Sequence, residues 1–212
     1  MRGLLATRAR ISGASTGWWL LLPLVWLTVP LLALVALPPV DPTLETQARP
    51  LEQLSSMALV LGVSHLCWAL GDSASWIAAI SPRSARHDRA LRGLALIGLG
   101  LVACLAASLL LPDGVTPAHT TLVGMMLLGL GVGSSVVVGR LGSAIAPAAA
   151  VGTASLGGAA IWPWNAIFNL DSSPDLRLLA PVVLVGGLAA FVWCDERGAR
   201  RSRLGLATST DR

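Results

Sequence analysis

The ionisable side chains that could do chemistry inside this apolar chain are those of His65 and Asp72. An ionisable group in hydrocarbon is costly unless it is paired or hydrated, so such residues often mark proton or substrate pathways. Residues 65 and 72 share one face of a helix but stand about 10 Å apart along its axis, too far for a direct hydrogen bond. They predict either a polar pathway or two satisfied polar residues facing the interior of a helix bundle.

The other reactive side chains do not have the spacing of an enzyme site. Ser134 and Ser135 suggest an intramembrane serine hydrolase, but that chemistry needs a histidine base on a neighbouring helix. The last two apolar stretches contain no histidine, and His119 precedes Ser134 on the same stretch. The sequence has no HExxH motif, CxxC pair or Walker motif. We therefore expect no enzymatic activity, no metal site and no cofactor.

Six apolar stretches must position these residues. Each has roughly the 20 residues that a helix needs to cross about 30 Å of hydrocarbon. Of the 212 residues, 54% are hydrophobic and 12% are charged, which leaves no room for a soluble catalytic domain. The sequence predicts an all-α integral membrane protein with a six-helix transmembrane domain over residues 17–194, an N-terminal segment 1–16 and a basic tail 195–212. The predicted spans are residues 17–37, 56–80, 93–111, 117–138, 143–161 and 176–193.

The arginines predict the orientation of these spans. When six crossings are threaded from a cytoplasmic N-terminus, 13 of the 15 arginines fall on the cytoplasmic side, and only Arg49 and Arg177 do not. Basic residues are retained in the cytoplasm, so both termini are predicted to be cytoplasmic. The net charge of +4 is explained by these flanking arginines, and we expect no nucleic-acid partner. A composition without lysine or tyrosine predicts a GC-rich bacterium, and hence a multi-pass protein of its plasma membrane.

Small residues predict close packing between the spans. Gly129 and Gly133 form a GxxxG pair in the fourth span, and Ala144, Ala148 and Gly152 recur at four-residue intervals in the fifth. Such residues let helix backbones approach closely, within one bundle or between two copies. We expect packing in the core, with a dimer face as the alternative.

Polar segments between the spans are the remaining candidates. The loop 81–93 contains four arginines and can form a short amphipathic helix, either as a retention signal or as a docking helix for a cytoplasmic protein. The N-terminal residues 1–11 can lie flat on the inner leaflet. Tryptophans near the ends of the spans are expected to be anchors at head-group level.

This layout resembles that of the six-span permease subunits of type V ABC exporters, the ABC-transporter-2 membrane family. The resemblance rests on the basic segment 1–11, the basic loop 81–93, the broken outer stretch 162–174 and the basic tail 197–203. The chain is shorter than is usual for that family, and its first outer loop, 40–55, is longer.

The resemblance implies roles for two groups of residues. In the family, the N-terminal helix and the first cytoplasmic loop contact a separately encoded ATPase. The corresponding coupling surface here consists of Arg83, Arg86, His87, Asp88 and Arg89. The family also has short re-entrant helices between its last two spans, which implies an outer gate formed by Trp162, Trp164, Asn165 and Asn169. The resemblance further implies a homodimer or heterodimer within the lipid bilayer.

The leading interpretation is therefore a permease subunit of an ATP-driven exporter whose substrate the sequence does not specify. One alternative is a non-transporting membrane protein, such as an assembly factor, an immunity protein or a subunit of a larger complex. The other is a proton-coupled carrier that uses Asp72 and His65. The exporter depends on the loop arginines more than on Asp72, and the carrier depends on Asp72 more than on the arginines.

Overall fold

The computed structural model describes residues 16–34, 50–70, 82–111, 116–155, 167 and 174–194. Within these residues the secondary structure consists of six helices with short turns at their ends, and no strand is present. The N-terminal residues 1–15 and the tail 195–212 lie outside the described residues. The helices are α1 (Thr16–Ala33), α2 (Pro50–Trp68), α3 (Pro82–Ser108), α4 (Pro117–Val138), α5 (Arg140–Ser155) and α6 (Pro174–Trp193).

Each predicted span overlaps one of these helices, and α4 has the predicted bounds. The starts of two helices differ most: α3 begins at Pro82 and not at residue 93, and α2 begins at Pro50 and not at residue 56. The prediction of a loop up to residue 55 is therefore wrong at its end, because proline fits the first helical position and the polar residues after it can continue the helix outside the apolar part. At its other end α2 stops at Trp68, where two turn hydrogen bonds, Ala69 N to Leu66 O and Leu70 N to Cys67 O, replace the helical pattern.

Three helices are long and apolar enough to cross a membrane: Arg89–Ser108, Pro117–Val138 and Pro174–Trp193, with mean hydropathies of 2.1, 2.0 and 2.0. The apolar helical parts Trp18–Ala33, Leu54–Trp68 and Leu141–Ser155 are shorter. A 16-residue helix such as α5 rises about 24 Å, less than the roughly 30 Å of the hydrocarbon core. Within the described residues the structure is thus all-helical, with three helices long and apolar enough to span a membrane, while six crossings and cytoplasmic termini stay predictions.

Successive helices alternate in direction through the bundle. As a result, the starts of α1, α3 and α5 lie at the same end of the bundle as the ends of α2, α4 and α6. We call this end the basic end, because it carries Arg89 and Arg92, and the opposite end the far end. The contacts that define the directions are Trp18–His65 and Trp26–Gly62 between α1 and α2, Gly100–Leu128 and Gly124–Cys104 between α3 and α4, Gly93–Leu188 between α3 and α6, and Gly142–Ser134 between α4 and α5.

The centre of the bundle is α4, which contacts α2, α3, α5 and α6 and runs parallel to α6. A Cβ atom on Gly129 would lie 2.5 Å from the carbonyl oxygen of Val183, and a Cβ on Gly187 would collide with the backbone of Gly129. These glycines therefore allow the two backbones to touch. The GxxxG glycine Gly129 serves packing within one chain, which is the first of the two uses expected from the sequence.

The alanine and glycine seam predicted on α5 lies outside the core. Ala148 is exposed, and a Cβ on Gly152 would meet no atom within 4 Å. Pro147 is buried instead, with its ring close to Gly131 of α4, so the proline face of α5 is turned inward. The expectation of core packing is wrong for this seam, because the contact of Pro147 with α4 decides the rotation of the helix.

Candidate functional site

At the basic end, His65 joins α2 to α1. Its imidazole ring stacks on the indole of Trp18 with 4.4 Å between ring centroids and 8° between ring planes. Its Nε2 lies 3.1 Å from the backbone oxygen of Trp18, and because a carbonyl only accepts, Nε2 donates in this bond. Trp19 meets Trp18 edge to face, with centroids 4.6 Å apart. His65, the candidate pathway residue, therefore connects the start of α1 to the end of α2 through a ring stack and a hydrogen bond.

The local sequence explains this arrangement. Trp18 and Trp19 lie in the first turn of α1, and His65 lies one turn before the end of the antiparallel α2. Indole rings combine apolar faces with a polar edge, which suits the interface between hydrocarbon and head groups. The sequence predicted Trp18 and Trp19 only as anchors. The predicted span 56–80 placed His65 near its middle, and it is the end of α2 at Trp68 that brings His65 level with the start of α1.

A groove opens beside this aromatic stack, between α1, α2 and α3. Its volume is about 220 Å³. Arg92 is its one charged lining residue, and the other walls are apolar or aromatic. The groove exists because α3 makes few contacts with α1 and α2 and packs mainly against α4 and α6. The lining residues are Trp19, Ala69, Arg92, Ala95, Leu96 and Leu99.

Four of the five residues of the predicted coupling surface lie on an N-terminal extension of α3, and the fifth, Arg89, lies at its base. The sequence predicted a short separate helix in the loop 81–93, but the structure shows one unbroken helix from Pro82 to Ser108. Pro82 begins α3, since proline is favoured at the first helical position. The 27 residues of α3 rise about 40 Å, which exceeds the hydrocarbon thickness by about 10 Å. The apolar span begins at Arg89, so residues 82–88 form the extension beyond it.

Two side chains of this coupling surface are described beyond their backbone. His87 is exposed. Arg89 donates from Nη1 to the carbonyl oxygen of Cys194 at 3.3 Å, across the end of α6. The last carbonyls of a helix lack intrahelical partners and carry partial negative charge, so an arginine is a favourable partner there. The side chains of Arg83, Arg86 and Asp88 lie outside the described residues, although their backbone is helical.

The remaining predicted residues are not placed. Asp72, the second residue of the proposed pathway, falls in 71–81, outside the described residues. The four residues of the outer gate are also outside them, namely Trp162, Trp164, Asn165 and Asn169. The structure therefore brings together His65, the tryptophans and Arg92 at the basic end, and it neither adds Asp72 to that group nor separates it from them.

The far end contains buried polar side chains that the sequence had not connected. Each is at most 4% exposed. The pairing of Cys104 with Gly124 sets the register of α3 against α4, and that of Cys67 with Gly131 sets the register of α2 against α4. These registers bring the five residues to one level of the bundle, which we call the far-end polar layer. Its members are Ser55, Ser56, Ser108, His119 and Thr120.

The layer can stabilise the bundle and can also provide a polar route. The hydroxyl of Ser108 donates to the carbonyl oxygen of Leu105 at 2.7 Å, so part of the layer is satisfied by the backbone of its own helix. Hydroxyls and imidazoles inside a membrane bundle hold helices together, and they also line substrate pathways. Serine and threonine are individually unremarkable in a span, and only the alignment of three helices shows that they form a group.

Ser134, considered above as a nucleophile, belongs to the joint between α4 and α5. Its hydroxyl lies 2.6 Å from the carbonyl oxygen of Leu130 and 2.7 Å from that of Gly142, and it donates to one or the other. The two helices are joined by Gly139 alone, whose φ of 72° favours glycine. The geometry gives Ser134 a structural role at this joint.

The part of the chain that the structure describes contains no group of three His, Cys, Asp or Glu side chains arranged to hold a metal ion. The thiols of Cys67 and Cys104 are buried, and that of Cys194 is exposed. No protein-family model matches the chain, and no curated protein or solved structure is significantly similar to it.

Proposed function

We propose that this protein is the membrane-spanning subunit of an ATP-driven exporter of the ABC type, in the plasma membrane of a bacterium. It works with a separately encoded ATPase, as a homodimer or a heterodimer. The observation that carries the proposal is the extension of α3, a basic helix continuous with a membrane-spanning helix. A helix transmits a displacement at its tip along its whole length, whereas a flexible loop absorbs it.

The packing of α3 supports such a transmission. Arg89 attaches the base of the extension to the end of α6, and Gly93 lies against Leu188 one turn further on. The parallel helices α4 and α6 are in backbone contact through Gly129 and Gly187. A force on the extension is thus passed to three helices that are packed together. The few contacts of α3 with α1 and α2 leave a seam along which α3 can shift, as in alternating access, while α4 stays packed against α2 and α5.

The charge of the extension indicates the chemistry of the ATPase surface. Arg83 and Arg86 lie on one turn of the helix, and the side chain of His87 next to them is exposed. Such a surface fits an acidic recess, because paired arginines bind carboxylates with directed hydrogen bonds. In this proposal the far-end polar layer lies where the exported molecule leaves the bundle.

The test is affinity purification of the tagged protein from its native host in mild detergent, followed by mass spectrometry. We expect an ATPase with a P-loop in a stoichiometric amount, and its loss from the double variant R83A/R86A. The matched control is R200A/R201A, which removes two charges from the basic tail on the same predicted side. Recovery without an ATPase contradicts the proposal. Equal loss from both double variants contradicts a specific role of the α3 extension.

Transport measurements separate the exporter from the carrier. The exporter loses efflux in R83A/R86A and retains most of it in Asp72→Asn, whereas the carrier shows the reverse. The bond between His65 and the Trp18 carbonyl favours a fastening role for His65 over a role in proton transfer. A non-transporting subunit is recognised in the same purification by a membrane partner in place of the ATPase.

A further inference from the structure

We propose that the groove between α1, α2 and α3 binds an anionic phospholipid of the leaflet at the basic end. The phosphate lies at Arg92, and one acyl chain follows Ala95, Leu96 and Leu99 toward the middle of the membrane. This site goes beyond the exporter function and does not depend on it, because it rests on the groove and not on an ATPase.

The mouth of the groove has the charge and the level that a lipid head group requires. Arg92 is exposed and lies one turn inside Arg89, where the apolar span begins. Arg92 also takes part in an interaction within the protein, but a guanidinium has five N–H donors and can bind a phosphate in addition. The one acidic side chain that the structure describes, Asp175, is at the start of α6, at the far end. The positive charge of Arg92 at the mouth of the groove therefore attracts an anion.

The walls of the groove fit an acyl chain. From Arg92 the lining continues inward through Ala95 and Leu96 to Leu99, and the small side chain of Ala95 leaves the space open. Trp19 forms the opposite wall, and its indole is 41% exposed. A soluble anion gains nothing from these apolar walls. A lipid has an anionic head group that matches Arg92 and an apolar chain that matches the walls beyond it.

The size of the groove also favours a lipid over an enclosed small molecule. Its volume of about 220 Å³ is below the roughly 300–1,000 Å³ of pockets that enclose drug-sized ligands. It can take a segment of a chain while the rest of the molecule stays in the bilayer. Basic pockets between helices at the cytoplasmic face are known to bind the head groups of anionic lipids.

The proposal can be tested by tryptophan quenching in the full-length protein purified in detergent. Phosphatidylglycerol and phosphatidylcholine with brominated acyl chains serve as probes, because bromine quenches a tryptophan that it contacts. The chain has eight tryptophans, so the contribution of Trp19 is taken as the difference between the wild type and Trp19→Phe. We expect this difference to saturate at a concentration of phosphatidylglycerol about fivefold lower than that of phosphatidylcholine.

Two variants and one control locate the site. Arg92→Gln removes the charge and is expected to raise the half-saturating concentration of phosphatidylglycerol about fivefold, with no change for phosphatidylcholine. Ala95→Phe fills the groove without changing the charge and is expected to weaken both lipids. The control Arg177→Gln removes an exposed arginine at the start of α6 and is expected to have no effect. Elution as a single species in size exclusion shows that each variant is folded.

Three results would overturn the proposal. The first is equal affinity for the two lipids in the wild type. The second is unchanged phosphatidylglycerol affinity in both Arg92→Gln and Ala95→Phe, or an equal loss in Arg177→Gln. The third is displacement of the lipid by glycerol phosphate, which has the head-group anion but no acyl chain and would show a site for a soluble phosphate.

Discussion

The basic end and the far end of the bundle both carry polar side chains, but they expose them differently. At the basic end His87 and Arg92 are exposed, and an open groove separates α3 from α1 and α2. At the far end Ser56, His119 and Thr120 are each 1% exposed. Since polar groups in a membrane protein need partners, the basic end is suited to partners outside the chain. The far end finds its partners inside the chain or along an internal route.

The same comparison explains how α3 is used. Near the basic end α3 is held to α6 by Arg89 and Gly93, and its extension continues beyond the apolar span, whereas near the far end Cys104 packs against Gly124 of α4. A helix that is held along its span and projects beyond it has the geometry of a lever. Because α3 projects beyond the apolar span at the basic end, the proposed coupling starts there and is transmitted toward the far end.

The largest expected effect is the accessibility of the native cysteines, because it decides which side the basic end faces. Cys194 is exposed at the basic end, while Cys67 and Cys104 are buried in the bundle. We expect a membrane-impermeant maleimide to label Cys194 only after the cells are opened, and to leave the two buried thiols unlabelled until the protein is denatured. The control is Cys194→Ala, which removes the labelling. Labelling of Cys194 in intact cells would place the basic end outside and contradict the predicted orientation.

The next effect concerns the backbone contact between the parallel helices α4 and α6. Gly187→Ala is expected to reduce the free energy of unfolding by about 3 kcal/mol, since the added methyl group collides with the backbone of α4. Its neighbour Gly186 is the matched control, because a Cβ there would meet no atom within 4 Å. Gly186→Ala is expected to be neutral or to stabilise by up to about 1 kcal/mol through helix propensity. Unfolding in mixed micelles measures both, and equal effects would disprove the contact.

The sequence predicted the elements of this fold better than their mutual contacts. The bounds of α4 could be predicted because Pro117 and Gly139 mark its ends. The start of α2 was missed because hydropathy detects a span, and a helix can continue through the polar residues outside it. The inward face of α5 was missed because Pro147 decides its rotation, and that contact is with another helix.

The candidate site shows the same limit. His65 was identified from its chemistry alone, since an imidazole in an apolar stretch stands out. Its stacking on Trp18 depends on the rotation of two helices, which the sequence does not specify. The groove depends on a third helix, because Arg92 and Leu99 form a wall only where α3 diverges from α1 and α2.

A smaller effect tests whether His65 stabilises the contact between α1 and α2. His65→Ala removes both the stacking on Trp18 and the bond to its carbonyl, and is expected to cost about 2 kcal/mol of stability. His65→Phe retains the stacking and loses only the bond, and is expected to cost about 1 kcal/mol. Thermal unfolding in detergent, followed by tryptophan fluorescence, measures both. If both variants unfold like the wild type, the contact does not stabilise the bundle, and a pathway role for His65 regains its support.

The smallest effect separates the two arginines at the start of the span. Arg89→Ala removes an exposed hydrogen bond to the Cys194 carbonyl, and is expected to destabilise the protein by about 0.5 kcal/mol, less at high salt. Its effect on the recovered ATPase is expected to be smaller than that of R83A/R86A, because part of the Arg89 side chain is engaged with α6. Its affinity for phosphatidylglycerol is expected to stay within twofold of the wild type, in contrast to Arg92→Gln. An equal loss of lipid binding in both variants would mean that the basic end attracts lipids by its total charge, and that the groove does not select them.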